Sequence, residues 1–241
     1  METIELWWIR LEAPPLFGMP PAELLDAAER RQAERFHFVR DRRRFMHAHA
    51  ALRGVLAAHL GAEPSQVRFR RRPGGKPELD QPETARVRFN LSHSGELALL
   101  AISDRRDVGV DLERIRELPD RDAVAETVMT AAELREYEGL PEAARTEAFF
   151  TCWTRKEAFL KATGDGLFRD PRSIHAGIRP RSDPFPIGSG DVPAARWTAW
   201  PPDTPPAYAA ALVVGGDACD IRCCTRTLPG GLLPKTVRIY R

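Results

Sequence analysis

The sequence has few cysteines and no long apolar run. Its four cysteines show neither the paired spacing of a zinc site nor a neighbouring histidine cluster. They are Cys152, Cys219, Cys223 and Cys224. Free thiols in a reducing compartment are therefore predicted. No stretch approaches the length of a membrane span, and residues 1–8 lack the basic and apolar regions of a signal peptide. Together these absences predict a cytoplasmic protein.

The chain also lacks a large excess of either charge. Lys and Arg number 36 against 34 Asp and Glu, which gives a formal net charge of +2. Arginines are nevertheless dense at 40–44 and again at 68–72. Local basic patches of this kind indicate an anionic partner even where the whole chain is nearly neutral.

Hydrophobic periodicity predicts a mixed protein of helices and strands. In residues 41–60, apolar side chains recur at spacings of three and four, and Gly61 provides a plausible end for this helix. Further helices are predicted at 22–35, 122–128, 131–137 and 145–163. Strands are predicted at 5–11, 67–71, 87–91, 97–103, 108–112, 173–178, 196–200, 208–214 and 221–225. Each half therefore offers both kinds of element, which predicts an α+β fold of two packed lobes, 1–105 and 106–241.

One predicted strand carries two acidic residues on the same face. Residues 108–113 read Val-Gly-Val-Asp-Leu-Glu, so period-two alternation puts Asp111 and Glu113 on one side and Val110 and Leu112 in the core. Adjacent like charges repel unless a cation lies between them, and oxygen ligands suit Mg²⁺. A solvated edge strand is the alternative for this motif alone.

The predicted helix 145–163 carries an acidic and a basic residue one turn apart. Trp153, Glu157 and Lys161 lie at i, i+4 and i+8 and so form one stripe. Glu157 can complete a metal site begun by Asp111 and Glu113, and Lys161 can reach phosphate oxygens. An ordinary surface Glu–Lys pair would give the same spacing, and Trp153 is expected to pack in the core.

A glycine turn and the end of a strand offer groups that could bind phosphate. Residues 70–77 join arginines to Gly74, Gly75 and Lys76, although the spacing is not that of a Walker P-loop. Residues 89–94 read Phe-Asn-Leu-Ser-His-Ser. Ser92 and His93 face opposite ways on a strand, which disfavours them as a nucleophile and its base, and no G-x-S-x-G elbow is present.

The order of these motifs resembles that of the Sfp-like 4'-phosphopantetheinyl transferase family. The signatures of that family resemble G-[IV]-D and W-[ST]-x-K-E-[AS]-x-x-K, and residues 109–111 and 153–161 match both without a gap. The similarity runs from about residue 71 to 161. The last third of the chain carries no motif of the family.

The resemblance implies two similar α/β lobes in a pseudo-symmetric arrangement, with the active site and coenzyme A in the cleft between them. It implies that Mg²⁺, or Mn²⁺ in its place, binds to Asp111, Glu113 and Glu157 in the C-terminal lobe. It implies that Lys161 contacts the pyrophosphate. The remaining coenzyme A contacts implied are Arg71, Gly75, Lys76, Asn90, Ser92 and His93. Arg31 and Arg35 are both candidates for a further contact.

The implied reaction transfers 4'-phosphopantetheine from coenzyme A to a serine of an apo carrier protein and releases adenosine 3',5'-bisphosphate. Glu157 is the first candidate for the base, directly or through a metal-bound water, and Glu133 is the second. The carrier can belong to a fatty-acid, polyketide or nonribosomal-peptide system, and the enzyme is expected to be a monomer.

Two alternatives remain open from the sequence. A non-catalytic coenzyme A or nucleotide-binding protein of the same fold is expected to lose a metal ligand, and this chain retains all three. A nucleic-acid binder would use the arginine runs, but these flank a glycine turn and the chain is nearly neutral overall. No nucleic acid or membrane partner is therefore expected. The run 40–44 is instead assigned to the acidic surface of a carrier protein.

Overall fold

A computed structural model describes residues 2–12, 19–80, 86–216 and 221–227, the last of these by their backbone alone. Among these residues, no helix is both long enough and apolar enough to cross a membrane. The predicted mixture of helices and strands is confirmed.

The described part of the first half contains two short helices, one long helix and five strands. Its helices are α1 (Pro21–Leu24), α2 (Ala27–Glu34) and α3 (Val39–Leu60), and its strands are β1 (Glu2–Arg10), β2 (Phe69–Arg71), β3 (Pro77–Leu79), β4 (Arg88–Ser94) and β5 (Leu97–Ser103). Gly61 ends α3 in the left-handed conformation, at φ 61°. The predicted end of this helix is therefore confirmed.

The helix predicted at 22–35 is two helices. Asp26 lies in an extended conformation between them and accepts hydrogen bonds from the N–H groups of Ala28 and Glu29. The Glu29 side chain accepts in return from the Asp26 N–H, which completes a capping box. This reciprocal cap starts a new helix where the polar composition alone indicates a continuous one.

The second half contains a second long helix and seven strands. Its helices are α4 (Arg121–Val128), α5 (Ala131–Glu138) and α6 (Glu142–Thr163), and its strands are β6 (Val108–Arg114), β7 (Ile174–His175), β8 (Phe185–Pro186), β9 (Gly188–Ser189), β10 (Trp197–Trp200), β11 (Tyr208–Gly215) and β12 (Ile221–Thr227). The strand predicted at 173–178 is reduced to β7, because residues 176–178 turn away. Strands β3, β8 and β9 are not among the predicted elements, since strands of two or three residues are too short to show a period.

Eight of the described strands form two four-stranded sheets, and the pairs β2–β3 and β7–β9 form two small two-stranded sheets. The first four-stranded sheet has the order β12-β1-β5-β4 and the second has the order β6-β11-β10-β8. Strand β12 pairs in parallel with β1, so the chain returns to the first sheet after completing the second. The predicted division between residues 105 and 106 falls between β5 and β6 and stays a prediction.

The buried side chains arrange these elements in four layers. One core cluster joins α3 to the outer face of the first sheet, through residues such as Leu52, Leu56 and Leu100. A second lies between the two sheets and contains Leu6, Val110 and Leu212 among others. A third lies between the second sheet and the helices α4 to α6. The order is therefore α3, first sheet, second sheet, α6.

Candidate active site

The two sheets meet where β4 of the first lies beside β6 of the second. Here side chains of β4 accept hydrogen bonds from backbone N–H groups of β6. Asn90 Oδ1 accepts from Val110 N at 2.8 Å, and Ser92 Oγ accepts from Leu112 N at 3.3 Å. Ser94 continues the pattern and accepts from Arg114 N at 3.0 Å. Polar residues at alternate positions of β4 thus satisfy the edge of a neighbouring sheet.

Each of the two serines also donates to a carboxylate of β6. Ser92 Oγ lies 3.0 Å from Asp111 Oδ1, and Ser94 Oγ lies 2.8 Å from Glu113 Oε2. Since both carboxylates meet groups from one face of β4, the prediction that Asp111 and Glu113 share a side of their strand is confirmed. Val110 is fully buried in the core, as its place in the alternation predicts.

Helix α6 brings a cation to the same point. Lys161 Nζ lies 2.5 Å from Asp111 Oδ1 and 3.1 Å from Ser92 Oγ. Asp111 is 4 % exposed, so this ion pair neutralises a carboxylate that is almost removed from water. The Ser92 hydroxyl is bonded to Asp111, Leu112 and Lys161 within the protein. It is therefore poorly placed to act as a nucleophile with His93.

Gly109 explains how α6 comes so close to β6. A Cβ atom at this position would collide with the carbonyl oxygen of Ala158 and the amide nitrogen of Ala162, both in the backbone of α6. The glycine of the G-[IV]-D signature is therefore required by the contact between a helix and a strand. Without that contact, Glu157 and Lys161 would lie further from Asp111.

The remaining carboxylates of the site have pKa values that burial and charge repulsion move upward. Desolvation raises the pKa of Glu157, and the Asp111 charge raises it further. Desolvation likewise raises the pKa of Glu113, with the Ser94 hydrogen bond opposing it. Both shifts indicate that this cluster has more negative charge than it can neutralise with Lys161 alone.

The unsatisfied atoms of the site fit a hard cation. Asp111 Oδ2 is buried and has no hydrogen-bond partner among the described residues. In the arrangement of the described side chains, no group of three or more His, Cys, Asp or Glu residues lies close enough together to form a complete metal site. An orphaned carboxylate oxygen beside two carboxylates of raised pKa is nevertheless the donor chemistry that suits Mg²⁺.

Lys76 contacts two other elements of the site. Its Nζ donates to Val108 O at 2.9 Å and to Ala162 O at 3.2 Å, so it links the β2–β3 hairpin to the start of β6 and the end of α6. Desolvation lowers the pKa of Lys76 to about 8, although the Asp107 charge opposes the shift. Gly74 packs beside it against the Gly164 carbonyl, which leaves no room for a Cβ atom.

The arginines before this turn differ in how much they are neutralised. Arg70 and Arg72 both pair with Glu78, at 2.8 Å and 2.6 Å. Arg71 is exposed and donates to the Gly75 carbonyl at 2.9 Å, across a turn in which Gly75 adopts φ 82°. Of the three, Arg71 is therefore the one whose charge faces solvent without a carboxylate among the described residues.

The Glu133 carboxylate is buried and fully engaged in contacts with other parts of the protein. Its carboxylate pairs with Lys156 at 2.7 Å and accepts from the N–H groups of Ala176 and Gly177 at 2.8 Å each, and from Thr130 at 2.9 Å. Burial raises its pKa, but Lys156 and the hydrogen bonds outweigh burial and leave the pKa below its ordinary value. These contacts give Glu133 a structural role and favour Glu157 as the base.

Four other predicted residues lie away from the ion pair. His93 is exposed and lies on the opposite face of β4 from Ser92. Arg31 and Arg35 both line an open cavity of about 620 Å³ along α2, so the structure does not separate the two candidates. Trp153 packs against the core and stacks on Phe149, with 5.9 Å between ring centroids, as expected of a core residue.

The roles of Ser94 and Lys156 are not among the predictions from the sequence. Ser94 belongs to an Asn-x-Ser-x-Ser alternation opposite an Asp-x-Glu alternation, and that pairing of period-two patterns is a signal in the sequence. Lys156 lies in the matched helix motif, but its partner Glu133 is 23 positions earlier on a separate helix, which no local spacing indicates.

Comparison with known families defines the class of protein to which this fold and site belong. Residues 107–213 match the 4'-phosphopantetheinyl transferase superfamily, and residues 21–105 match the N-terminal part of 4'-phosphopantetheinyl transferase. The second match contains β4 with its serines, and the first contains β6 and α6. The two sides of the site therefore match one class of transferase.

Individual relatives agree with these matches. The chain is 40 % identical over 167 residues to the 4'-phosphopantetheinyl transferase HetI of Nostoc sp., covering 69 % of this chain and 70 % of the relative. It is 34 % identical to the 4'-phosphopantetheinyl transferase psf-1 of Bacillus pumilus, over 58 % of each chain. It is 27 % identical to Sfp of Bacillus subtilis, over 58 % of this chain and 60 % of the relative. The chain belongs to the 4'-phosphopantetheinyl transferase superfamily and is an enzyme of that type.

Proposed function

We propose that this transferase moves 4'-phosphopantetheine from coenzyme A to a serine of an apo acyl or peptidyl carrier protein. Adenosine 3',5'-bisphosphate is the second product. The observation that supports this proposal most is the Lys161–Asp111 ion pair at the β4–β6 contact, with Glu113 and Glu157 beside it. A phosphoryl transfer between two oxygen atoms needs groups of this charge and little covalent chemistry from the protein.

Asp111, Glu113 and Glu157 would hold Mg²⁺, or Mn²⁺ in its place. The buried and unpartnered Asp111 Oδ2 and the raised pKa values of the two glutamates support this assignment. When bound, the cation supplies positive charge that stabilises the pyrophosphate oxygens as the leaving group departs. The bound cation would also reduce the repulsion between the three carboxylates.

Lys161 would neutralise charge on the pyrophosphate, and Ser92 would orient it. The ammonium already lies within hydrogen-bond distance of Asp111 and Ser92, and its side chain is 30 % exposed, so it retains access to a ligand. Because an ammonium carries three donors, two internal contacts leave one for a phosphate oxygen.

Glu157 would accept the proton of the attacking carrier serine. A carboxylate of raised pKa is a better base at neutral pH than an unperturbed one, and Glu157 makes no ion pair or hydrogen bond within the described part of the chain. Glu133 would instead hold α5, α6 and residues 176–177 together through Lys156.

Coenzyme A would lie in a cleft between two similar lobes, one built on each sheet. Arg71 and Lys76 would supply positive charge to its nucleotide end, Gly75 would allow close approach of the turn, and His93 would contact the 3'-phosphate. Asn90 and Ser92, bonded to β6, would form the wall of the cleft. The cytoplasmic location, the monomeric state and the type of carrier stay predictions.

The proposal is tested by incubating the protein with coenzyme A, Mg²⁺ and a set of apo carriers, and weighing the carriers by mass spectrometry. We expect the phosphopantetheine adduct on at least one carrier, and none when the acceptor serine of that carrier is changed to alanine. Asp111→Asn, which keeps the size of the side chain, is expected to abolish the adduct. A panel of fatty-acid, polyketide and peptide carriers that all remain unmodified would refute the proposed function. In that case coenzyme A binding by calorimetry would identify a non-catalytic binder.

A further inference from the structure

We propose that Ser94 is a positioning residue that fixes the Glu113 carboxylate for the divalent cation. The inference rests on the proposed function and extends it to a residue that makes no predicted contact with coenzyme A. Ser94 is the last residue of β4, and its hydroxyl donates to Glu113 Oε2 at 2.8 Å. Within the part of the chain that the structure describes, only one carboxylate oxygen is engaged, so Oε1 of Glu113 remains available to a ligand.

The hydroxyl of Ser94 is itself held in place. It accepts from Arg114 N at 3.0 Å while donating to Glu113, so both ends of the O–H group have defined partners. Ser92 repeats this arrangement two residues earlier, accepting from Leu112 N and donating to Asp111. The two serines thus hold the two acidic side chains of β6 with the same geometry.

Glu113 benefits from such a restraint because charges of both signs act on it. The charge of Asp111 repels it, and the charge of Arg116 attracts it. A glutamate side chain loses considerable rotamer freedom when it is fixed. A neutral donor fixes the carboxylate without neutralising it, whereas an ammonium or guanidinium would compete with the cation for its charge. A serine is therefore suited to this place in a way that a lysine is not.

The test compares two variants that differ by one hydroxyl. Ser94→Thr keeps an O–H group, and Ser94→Val replaces that O–H with a methyl of similar size. Both side chains are β-branched, so their effect on the strand should be the same. Mn²⁺ binding is measured by isothermal calorimetry on the full chain with coenzyme A present. The KM for Mg²⁺ and the kcat are measured in parallel on a carrier that the wild type modifies.

We expect Ser94→Thr to bind Mn²⁺ like the wild type and Ser94→Val to bind at least about tenfold more weakly, which is the effect of losing a residue that orients a metal ligand. The KM for Mg²⁺ should rise with it, while the kcat at saturating Mg²⁺ falls much less. Ser182→Ala removes an exposed serine that donates to Asp183, and it should leave all three quantities unchanged.

Equal Mn²⁺ affinity in the threonine and valine variants would overturn the inference, because the hydroxyl would then have no effect on the cation. Should both variants lose stability, the difference between them still decides, since each carries the same bulk. If the wild type modifies carriers and binds Mn²⁺, and the valine and threonine variants bind Mn²⁺ equally well, only the role of Ser94 is rejected. A wild type that neither binds Mn²⁺ nor modifies a carrier rejects the proposed function and this inference with it.

Discussion

Lys161 Nζ lies 2.5 Å from Asp111 Oδ1, although the two residues are 50 positions apart in the chain. The contact joins α6 to β6, and Ser92 on β4 is within hydrogen-bond distance of both partners. One ion pair therefore connects both sheets and the longest helix of the second half. Because β4 and β6 belong to different sheets, the shape of the site depends on how those sheets pack.

Three carboxylates interact with the charge of this single ammonium, one of them by direct contact. Asp111 is paired, whereas Glu113 and Glu157 have pKa values that burial raises and the Asp111 charge raises further. A cluster with this imbalance has a lower free energy when further positive charge binds. The same imbalance makes the free protein less stable than its packing alone would allow.

Replacing Gly109 with alanine is expected to separate β6 from α6. The new methyl group would overlap backbone atoms of Ala158 and Ala162, and backbone cannot rotate away as a side chain can. Overpacking of this kind costs about 1–3 kcal/mol of stability. We expect the folded fraction of Gly109→Ala to lose at least about tenfold in kcat/KM, because displacing catalytic groups by even 1 Å has effects of that order or larger.

Urea denaturation and steady-state kinetics on the same preparation check this expectation. Gly190→Ala is the matched control, since a Cβ atom at position 190 meets nothing within 4 Å. Wild-type stability and activity in Gly109→Ala would show that the helix and strand can move apart without affecting the site.

The buried pair of Glu133 and Lys156 is expected to matter for folding and not for proton transfer. Glu133→Gln leaves the Lys156 ammonium, which is 2 % exposed, without its counter-charge. Breaking a buried pair in this way costs about 3–5 kcal/mol, and Glu133→Gln combined with Lys156→Met should recover much of the loss. Denaturant unfolding of the single and double variants measures both quantities.

The pH dependence of this pair has a defined sign. Because the folded pKa of Glu133 lies below its unfolded value, its stabilisation is complete above the ordinary glutamate pKa and is lost as the pH falls through the folded pKa. The stability difference between wild type and Glu133→Gln should therefore shrink on acidification. A folded Glu133→Gln variant that is as stable as the wild type but has lost about a hundredfold in kcat would instead make Glu133 the base.

The sequence predicts the regular elements well where the helix or strand is long. Strand β5 has the predicted bounds 97–103, and α6 differs from its prediction by three residues at one end. Local periodicity also predicts that Asp111 and Glu113 share a side, because that property depends on β6 alone. The break at Asp26 between α1 and α2 depends on a capping box with Glu29, which overrides the continuous polar pattern of residues 22–35.

Contacts between elements are not contained in such patterns. The family resemblance implies that Asn90 and Ser92 contact coenzyme A, and in the structure their side chains also accept hydrogen bonds from the backbone of β6, which belongs to the other sheet. Nothing in residues 89–94 alone states that a second sheet lies beside them. The proximity of β4 and β6 is a property of the packed fold, and it adds a structural role to residues that resemblance assigns to a ligand.

Coenzyme A binding is expected to weaken as Lys76 loses its charge. Burial lowers the pKa of Lys76 to about 8, so raising the pH from 7 to 9.5 should neutralise it and weaken binding, roughly tenfold for the loss of one charged hydrogen bond of about 1.5 kcal/mol. Lys76→Met should bind weakly at both pH values. Calorimetric titration with coenzyme A at the two pH values measures the difference.

The stability of the protein should change with pH in the opposite direction. Because the folded pKa of Lys76 lies below its unfolded value of about 10.5, folding releases a proton between these values and stability increases as the pH rises through them. The Lys76→Met variant should lack this increase. A wild type whose coenzyme A affinity is the same at pH 7 and 9.5 would show that the Lys76 charge does not reach the ligand.

Glu157→Gln is expected to stabilise the protein while removing its activity. Desolvation and the Asp111 charge raise the folded pKa of Glu157 above its unfolded value, so the ionised side chain opposes folding at neutral pH. Its contribution is fully favourable below the unfolded pKa and is lost as the pH rises through the folded pKa. Gln removes the charge and with it the cost.

In the presence of a chelator, the variant should therefore have a higher Tm than the wild type at pH 7, and the gain should shrink toward pH 4. The kcat should fall by about a hundredfold or more, as for the loss of a general base.

Differential scanning calorimetry at the two pH values and carrier modification at pH 7 measure the two effects. Glu126→Gln, at an exposed position of α4, serves as the charge control. A Tm at pH 7 that is equal to or below that of the wild type would mean that the Glu157 carboxylate is not destabilised where it lies, and its assignment as the base would lose its physical support.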